Sequence, residues 1–206
     1  MDKQLIISIG RQCGSGGHAI GAKLSERYGL QLYDRNIIAL LAEDMKKDTD
    51  SVARMEEKLS GLLPKRKGGF EAKIKDLMNR LSPSDEMYLH ERGLISRLAE
   101  TESFVIIGRG ANDMLADNPN ALRLFIYAPE SFRLPRVKAD YGIESDDEAR
   151  KKMEQTDRER REYFEYYTGR TWGMYDHHDL MINSALLGIN GTADLIASVA
   201  DKKFGL

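Results

Sequence analysis

The sequence predicts an α/β fold in which a parallel sheet is covered by helices on both faces. Short apolar runs alternate with helical patterns along the 206 residues. The runs at 5–9 and 104–107 are almost continuously apolar, which is typical of strands buried on both faces. Glycines and charged residues follow these runs directly, and open parallel sheets bind ligands at those strand ends.

The first elements are a strand, a glycine-rich turn and a helix. Residues 5–9 form the expected first strand, and the helix follows over 16–28 with Gly29 as its C-terminal stop. A second short strand is expected at 30–33, and a further helix at 36–46.

Residues 48–89 differ in composition from the rest of the chain. They are highly charged, and their weak amphipathic patterns predict helices over 52–63 and 70–81 around a flexible basic turn at 64–69. We interpret this stretch as a helical insertion, so that residues 1–206 form a single domain.

The rest of the chain continues the alternation of strands and helices. Pro135 must lie in the first turn of its predicted helix or kink that helix, because proline lacks the N–H group. The expected elements are a helix at 87–100, strands at 104–107 and 122–127, helices at 131–141 and 146–167, a strand at 180–182 and a helix at 192–203.

The composition narrows the classes of function. The apolar fraction of 41% is enough for a core, and the net charge of −2 argues against a nucleic-acid partner. The single cysteine, Cys13, excludes an internal disulfide and fits a reducing compartment. No apolar run approaches the roughly 18 residues of a membrane helix. We therefore expect a cytoplasmic protein without a membrane partner; a homodimer is an open alternative.

The glycine-rich turn predicts a phosphate-binding loop, because a strand precedes it and a helix follows it. A Walker motif has a lysine and a hydroxyl residue at its end. Here Gly17 stands at the lysine position, Ala19 stands near the hydroxyl position, and Arg11 replaces the first glycine. The alternative is a tight turn that binds nothing. The candidate phosphate-binding residues are Gly14, Ser15, Gly16, Gly17, His18 and Ala19.

Two further strand ends carry charged residues. Asp34 and Arg35 follow the second strand. Asp34 is suited to orienting an acceptor, holding Mg²⁺ through water or accepting a proton, and its alternative role is to cap a helix. Arg109 lies between two glycines after the third strand, where a guanidinium can contact phosphate or pair with a neighbouring helix.

The segment 156–162 contains an arginine cluster on a predicted helix. Arg158 and Arg161 share one helical face by their spacing, and Arg160 points elsewhere. The cluster fits a clamp on phosphoryl groups or an ordinary solvated face, and Arg133 and Arg136 carry the same ambiguity. The aromatic stretch 162–172 is expected to pack on the sheet rather than stack on a base. The adjacent pair at 177–178 lacks a third ligand nearby, so no metal site is assigned to it.

Together these segments resemble the cytidylate kinase-like family, a branch of the P-loop nucleoside monophosphate kinases. The resemblance is carried by the ordered set of segments 6–17, 32–35, 105–110, 125–129, 156–164 and 175–183. It implies a three-layer fold of the P-loop NTPase type, with a five-stranded parallel sheet in the order 2-3-1-4-5. It also implies that the insertion lies in the acceptor-binding region and that residues 142–172 form a lid.

The resemblance implies roles for the candidate residues. The loop would hold ATP, and Arg11, Asp34, Arg158 and Arg160 would act in catalysis. Acceptor binding would involve Asp34, Arg35, Arg109, Arg133 and Arg161.

Three positions depart from the pattern of cytidylate kinases. The Walker lysine and hydroxyl are missing, and Ile107 stands where those enzymes have an acidic residue. The leading hypothesis is ATP- and Mg²⁺-dependent phosphorylation of a nucleoside monophosphate such as CMP, with nucleotides as the only expected partners. The alternatives are a regulatory nucleotide-binding protein with impaired catalysis and a kinase for another small acceptor.

Overall fold

The computed structural model describes residues 4–34 and 83–206, and these contain a five-stranded sheet. Every strand pair is parallel, and the order in the sheet is β2-β3-β1-β4-β5, which confirms the predicted fold class and strand order. The strands are β1 (Ile6–Arg11), β2 (Gln31–Tyr33), β3 (Phe104–Ile107), β4 (Ala121–Tyr127) and β5 (Leu180–Asn183).

Helices connect the strands and cover both faces of the sheet. Three of them begin earlier than predicted, at Pro83, Glu130 and Gly188. Proline is tolerated at position 83 because the first helical turn does not need its missing N–H group. Pro135 lies inside its helix, beyond the first turn. The described helices are α1 (Gly17–Tyr28), α2 (Pro83–Thr101), α3 (Ala111–Met114), α4 (Glu130–Tyr141), α5 (Asp146–Thr168) and α6 (Gly188–Phe204), with a 3₁₀ turn at Tyr175–His177.

The chain divides into two compact units. The first comprises Met1–Asp34 with Ser96–Leu206 and contains the whole sheet; the second comprises Arg35–Ile95. The predicted helices at 36–46, 52–63 and 70–81 lie outside the described residues, and so does Arg35. Of the insertion predicted at 48–89, only the part that belongs to α2 is described. None of the helices in the described ranges has the length and apolar character needed to cross a membrane.

The core between the sheet, α1 and α6 fixes the position of the strand ends. Alternate residues of β1, such as Ile7 and Ile9, are fully buried against Ile20 and Leu24 of α1. Each such side chain contributes about 1.5–3 kcal/mol when it is removed from water. Further members of this core are Val105, Leu122, Leu124, Ile126, Ile196, Ala197 and Ala200.

The opposite face of β1 carries a buried hydrogen-bond network. The Ser8 hydroxyl donates to Oδ1 of Asn112, and Nδ2 of Asn112 donates to the Leu124 carbonyl at 2.9 Å. The same Nδ2 lies 2.7 Å from Nδ1 of His178, so the imidazole must accept there and carry its proton on Nε2. Burial lowers the pKa of His178 from 6.5 to about 4. The network therefore requires a neutral His178.

Lowering the pH should destabilise the protein through His178. The pKa is lower in the folded state than in the unfolded state, so the contribution to stability is complete above pH 6.5 and is lost as the pH falls from there towards about 4. In His178→Gln, an amide oxygen can still accept from Asn112, and we expect a flatter dependence of the urea midpoint on pH. An unchanged slope in His178→Gln would contradict the assignment.

Candidate phosphate-binding site

The glycine loop joins the end of β1 to the start of α1 and presents backbone donors there. Gly16 is the N-cap of α1, and no side chain caps this helix terminus. Within the described residues, no hydrogen bond uses the N–H groups of Gly14, Gly16, Gly17, His18 or Ala19. Free N–H groups at a helix N-terminus attract anions, because the helix dipole adds partial positive charge. The loop therefore offers a ready anion site.

Neighbouring strand ends hold the loop in this conformation. Gln12 donates its N–H group to the Ile126 carbonyl at 2.9 Å, and its side-chain oxygen accepts from the N–H group of Ala128 at 3.2 Å. The buried hydroxyl of Ser184, just after β5, donates to the Ser15 carbonyl at 2.6 Å. The loop is thus tied to β4 and β5, and its shape does not depend on a ligand.

The side chain of Arg11 occupies the space that a side chain at position 17 would need. A Cβ atom at Gly17 would lie 2.8 Å from Cβ and 3.0 Å from Cγ of Arg11, closer than carbon atoms pack. Farther along, a Cβ atom at Gly108 would overlap Nη1 of Arg11. Arg11 therefore extends from the loop towards the end of β3. Its packing favours glycine at position 17, and the positive φ of 79° favours glycine at position 108.

Asp34 lies between Arg11 and His18 at the end of β2. One carboxylate oxygen is 3.7 Å from Nη2 of Arg11, and the other is 2.9 Å from Nδ1 of His18. The side chains of Arg11 and Asp34 are only 19% and 23% exposed, so their attraction is less screened than in a surface pair. The structure thus brings together three of the predicted residues and orients Arg11 through Asp34.

A second carboxylate, Asp157 of α5, connects the loop to two arginines. Its Oδ1 accepts from the Cys13 N–H group at 2.6 Å and lies 3.8 Å from Nη1 of Arg160. Its Oδ2 is 2.7 Å from Nη1 of Arg133, which also donates to the Cys13 carbonyl at 3.3 Å. The Cys13 thiol is buried, and this burial raises its pKa, so it is uncharged at neutral pH. Asp157 is itself buried, and it fixes α5 and α4 against the loop.

The three predicted arginines of α5 point to different surroundings. Arg160 donates to the Arg11 carbonyl at 3.2 Å, so it reaches the loop. Arg158 is exposed, and in the described part of the chain it has no polar partner. The guanidinium of Arg161 lies 5.5 Å from the ring centre of Trp172, which packs edge-on against Phe125. Only Arg160 is therefore at the loop in this structure.

Arg109 follows β3 with an unusual backbone conformation. Its φ of 59° is in the left-handed region, and no other non-glycine residue of the described ranges has a positive φ. Gly108 and Gly110 on either side are also left-handed, with φ of 79° and 67°. This conformation costs an L-residue about 1–2 kcal/mol. Such strain clusters at functional sites, and the role of Arg109 in binding phosphate stays a prediction.

Sequence reasoning missed the role of Asp157 and left that of Arg136 open. Nη2 of Arg136 lies 3.6 Å from where a Cβ atom at Gly16 would be, and its buried Nε has no hydrogen-bond partner in residues 4–34 and 83–206. The signal for Asp157 was present in the sequence, since it immediately precedes Arg158 in the arginine cluster. Its partners come from residues 13 and 133, and this distance along the chain concealed the network.

The described residues do not fit a Mg²⁺ site held by the protein. Ala19 offers no hydroxyl ligand, and Ile107 offers no carboxylate at the end of β3. Asp34 already faces the charge of Arg11 and a nitrogen of His18. In the ranges that the structure describes, no three His, Cys, Asp or Glu side chains are grouped so that they could hold a metal ion.

Comparison with known proteins identifies the family of the chain. The model of the cytidylate kinase-like family matches residues 6–186, which is most of the chain. The chain belongs to the cytidylate kinase-like family. The resemblance inferred from the strand-end motifs is thereby confirmed for this member of the family.

Solved structures show which folds resemble this cytidylate kinase-like protein. An uncharacterized protein from Eubacterium ventriosum ATCC 27560 is 26% identical, with a TM-score of 0.73 over 96% of this chain and 99% of that chain. Shikimate kinase from Bacteroides thetaiotaomicron is 14% identical, with a TM-score of 0.53 over 96% of this chain and 98% of that chain. The second likeness concerns the fold alone. No curated protein matches the chain significantly.

Restoring the Walker lysine alone should damage the loop. In Gly17→Lys the new Cβ atom would collide with Arg11, and we expect a lower melting temperature and weaker ATP binding than in the wild type. In the double variant Arg11→Gly with Gly17→Lys, the collision is gone and the charge returns to the helix. Calorimetric titration should show stronger binding by the double variant than by Gly17→Lys. Equal or better binding by Gly17→Lys alone would contradict the packing argument.

Two substitutions at Arg109 distinguish the effect of its backbone conformation on stability from the effect of its side chain on binding. Glycine tolerates a φ of 59°, whereas alanine does not, so Arg109→Gly should be about 1 kcal/mol more stable than Arg109→Ala. Both variants lose the guanidinium and should lose binding of a nucleoside monophosphate equally. Urea unfolding and titration with CMP measure the two effects. A more stable alanine variant would show that the left-handed conformation is not maintained in solution.

Proposed function

We propose that the protein transfers the γ-phosphoryl group of ATP to a nucleoside monophosphate, with CMP or dCMP as the acceptor. The observation that carries this proposal is that Arg11 lies over Gly17, where a Walker motif has its lysine. The loop beside it has N–H donors that no described residue uses. Membership of a kinase-like family and the kinase fold support a phosphotransferase. The choice of acceptor rests on the family alone.

The loop and its arginines supply what the donor phosphates require. Backbone N–H groups of the loop donate to the phosphate oxygens, and Arg11 supplies a positive charge where a Walker motif uses lysine. Arg158 and Arg160 on α5 are proposed to approach the transferring group, where charge develops in the transition state. Arg109, Arg133, Arg161 and Arg35 are proposed for acceptor binding, with Arg133 held in place by Asp157.

The transfer itself places few demands on acid–base chemistry. An oxygen of the acceptor phosphate attacks the γ-phosphorus, the bond to the bridging oxygen breaks, and ADP leaves with the electron pair. The second pKa of a phosphate monoester is about 6, so this oxygen is mostly ionised at pH 7. No general base is needed, and Asp34 serves as a positioning residue for Arg11. No step is assigned to Mg²⁺, because the donor set does not fit it.

A second candidate is a nucleotide-binding regulator without turnover. Gly17 and Ala19 favour it, since they remove the lysine and hydroxyl on which P-loop kinases rely. This candidate shares the nucleotide site with the first but predicts no release of ADP. A kinase for another small acceptor would instead release ADP only with that acceptor.

Steady-state release of ADP, measured with a panel of nucleoside monophosphates, tests the proposed transfer. Arg158→Met should lower kcat by about 10²–10³-fold without changing the melting temperature, because this side chain is exposed and has no polar partner among the described residues. Arg150→Met is the matched control on the same helix. Arg150 pairs at the surface with Glu130 and Asp147, so its loss should leave kcat unchanged.

The proposal fails if the folded wild-type protein releases no ADP above background with any monophosphate. A shift in melting temperature with ATP but without turnover would favour the regulator. Turnover that Arg158→Met and Arg150→Met reduce equally would remove Arg158 from the catalytic group.

A further inference from the structure

We infer that the glycine loop binds the polyphosphate of a nucleotide without a metal ion held by the protein, and that Arg136 joins Arg11 in balancing its charge. This inference rests on the proposed function, which supplies the nucleotide. It goes further by assigning a role to Arg136 and by stating the ionic form of the ligand that the site prefers.

The ligands available near the loop argue against a bound metal ion. Mg²⁺ prefers oxygen ligands, above all carboxylates and hydroxyls. The hydroxyl position is taken by Ala19, and the only carboxylates with contacts to this loop in the described ranges are Asp34 and Asp157. Both face arginines, and Asp157 is 9% exposed. A metal ion placed there would compete with guanidinium groups that are already in position.

Arg136 brings a positive charge to the loop, and it has no counter-ion among the described residues. Its Nη2 lies 3.6 Å from the Cβ position of Gly16, the N-cap residue of α1. Its Nε is buried and has no hydrogen-bond partner, and no carboxylate of the described ranges pairs with it. Arg133, one turn earlier on α4, is by contrast paired with Asp157 at 2.7 Å.

An uncompensated guanidinium of this kind favours an anion beside it. Partial burial removes water from the charged group, and only an opposite charge or hydrogen bonds can offset that cost. The Phe132 ring, 5.8 Å from the guanidinium carbon, keeps the side chain in place but supplies no full negative charge. The loop beside Arg136 offers N–H groups that no described residue uses as donors. A phosphate held there would meet both Arg136 and the helix N-terminus.

The combined positive charge at the loop decides whether the site prefers the metal-free nucleotide or its magnesium complex. Arg11 and Arg136 lie beside neighbouring glycines of the loop, and the dipole of α1 adds to their field. Mg²⁺ bound to nucleotide phosphates cancels part of their charge and weakens the attraction to two arginines. The metal-free form should therefore bind at least as tightly as the magnesium complex.

Calorimetric titration of the full chain with ATP, once in EDTA and once in excess Mg²⁺, tests the inference. We expect a Kd in EDTA that is equal to or lower than the Kd in Mg²⁺. Tripolyphosphate in EDTA should also bind, since it carries the phosphates without base or sugar. Binding that is tenfold or more weaker in EDTA would overturn the inference and leave the proposed function standing. No binding of ATP in either condition would overturn both.

Variants test the part assigned to Arg136. Arg136→Met should weaken binding of tripolyphosphate in EDTA by about tenfold or more and reduce its dependence on salt. Arg136→Lys keeps the charge and should recover part of that loss. Arg150→Met is the control, because its guanidinium pairs at the surface away from the loop. Thermal unfolding confirms that each variant is folded. Wild-type affinity in folded Arg136→Met would exclude Arg136 from the site.

Discussion

The rest of the site depends on one packing constraint: the Arg11 side chain lies against two glycines. The side chain begins at the end of β1, lies over Gly17 and reaches Gly108 after β3. A larger residue at either glycine would displace it. Because Arg11 fills this space, the charge at the loop is anchored on the sheet, whereas a Walker lysine is anchored on the following helix. Asp34, directly after β2, pairs with the Arg11 guanidinium and holds it in place.

Electrostatic pairing divides the arginines of this edge into two groups. Arg133 and Arg160 face the buried carboxylate of Asp157, so their positions are set before a ligand arrives. Arg158 has no such restraint within the described residues, and Arg136 is held by packing rather than by a carboxylate. A site that contains both groups combines a fixed cradle with charges that have no carboxylate partner in the described part of the chain. This combination is what one expects of a surface that binds a polyanion and releases it again.

The sequence predicted best those strands whose residues are all buried. It predicted least well the contacts between residues that lie far apart along the chain. The run at Phe104–Ile107 is a strand over the predicted residues, since four consecutive buried apolar side chains fit little else. The four-residue helix Ala111–Met114 was missed because it is too short to show a helical period. Spacing separated Arg160 from Arg158 and Arg161 correctly, but it could not show which face meets the loop. The space over Gly17 depends on a neighbour six positions earlier, and no sequence pattern encodes that contact.

The bond between Asp157 and the Cys13 N–H group has a kinetic consequence. Any motion that lifts α5 from the loop has to separate this carboxylate from the backbone donor and from two guanidinium groups together. Leaving such charges unpaired in a partly buried site is costly, so these separations are expected to occur as one concerted event. The loop and the middle of α5 then behave as one mechanical body. Removing the Asp157 carboxylate alone would therefore remove all three of these contacts at once.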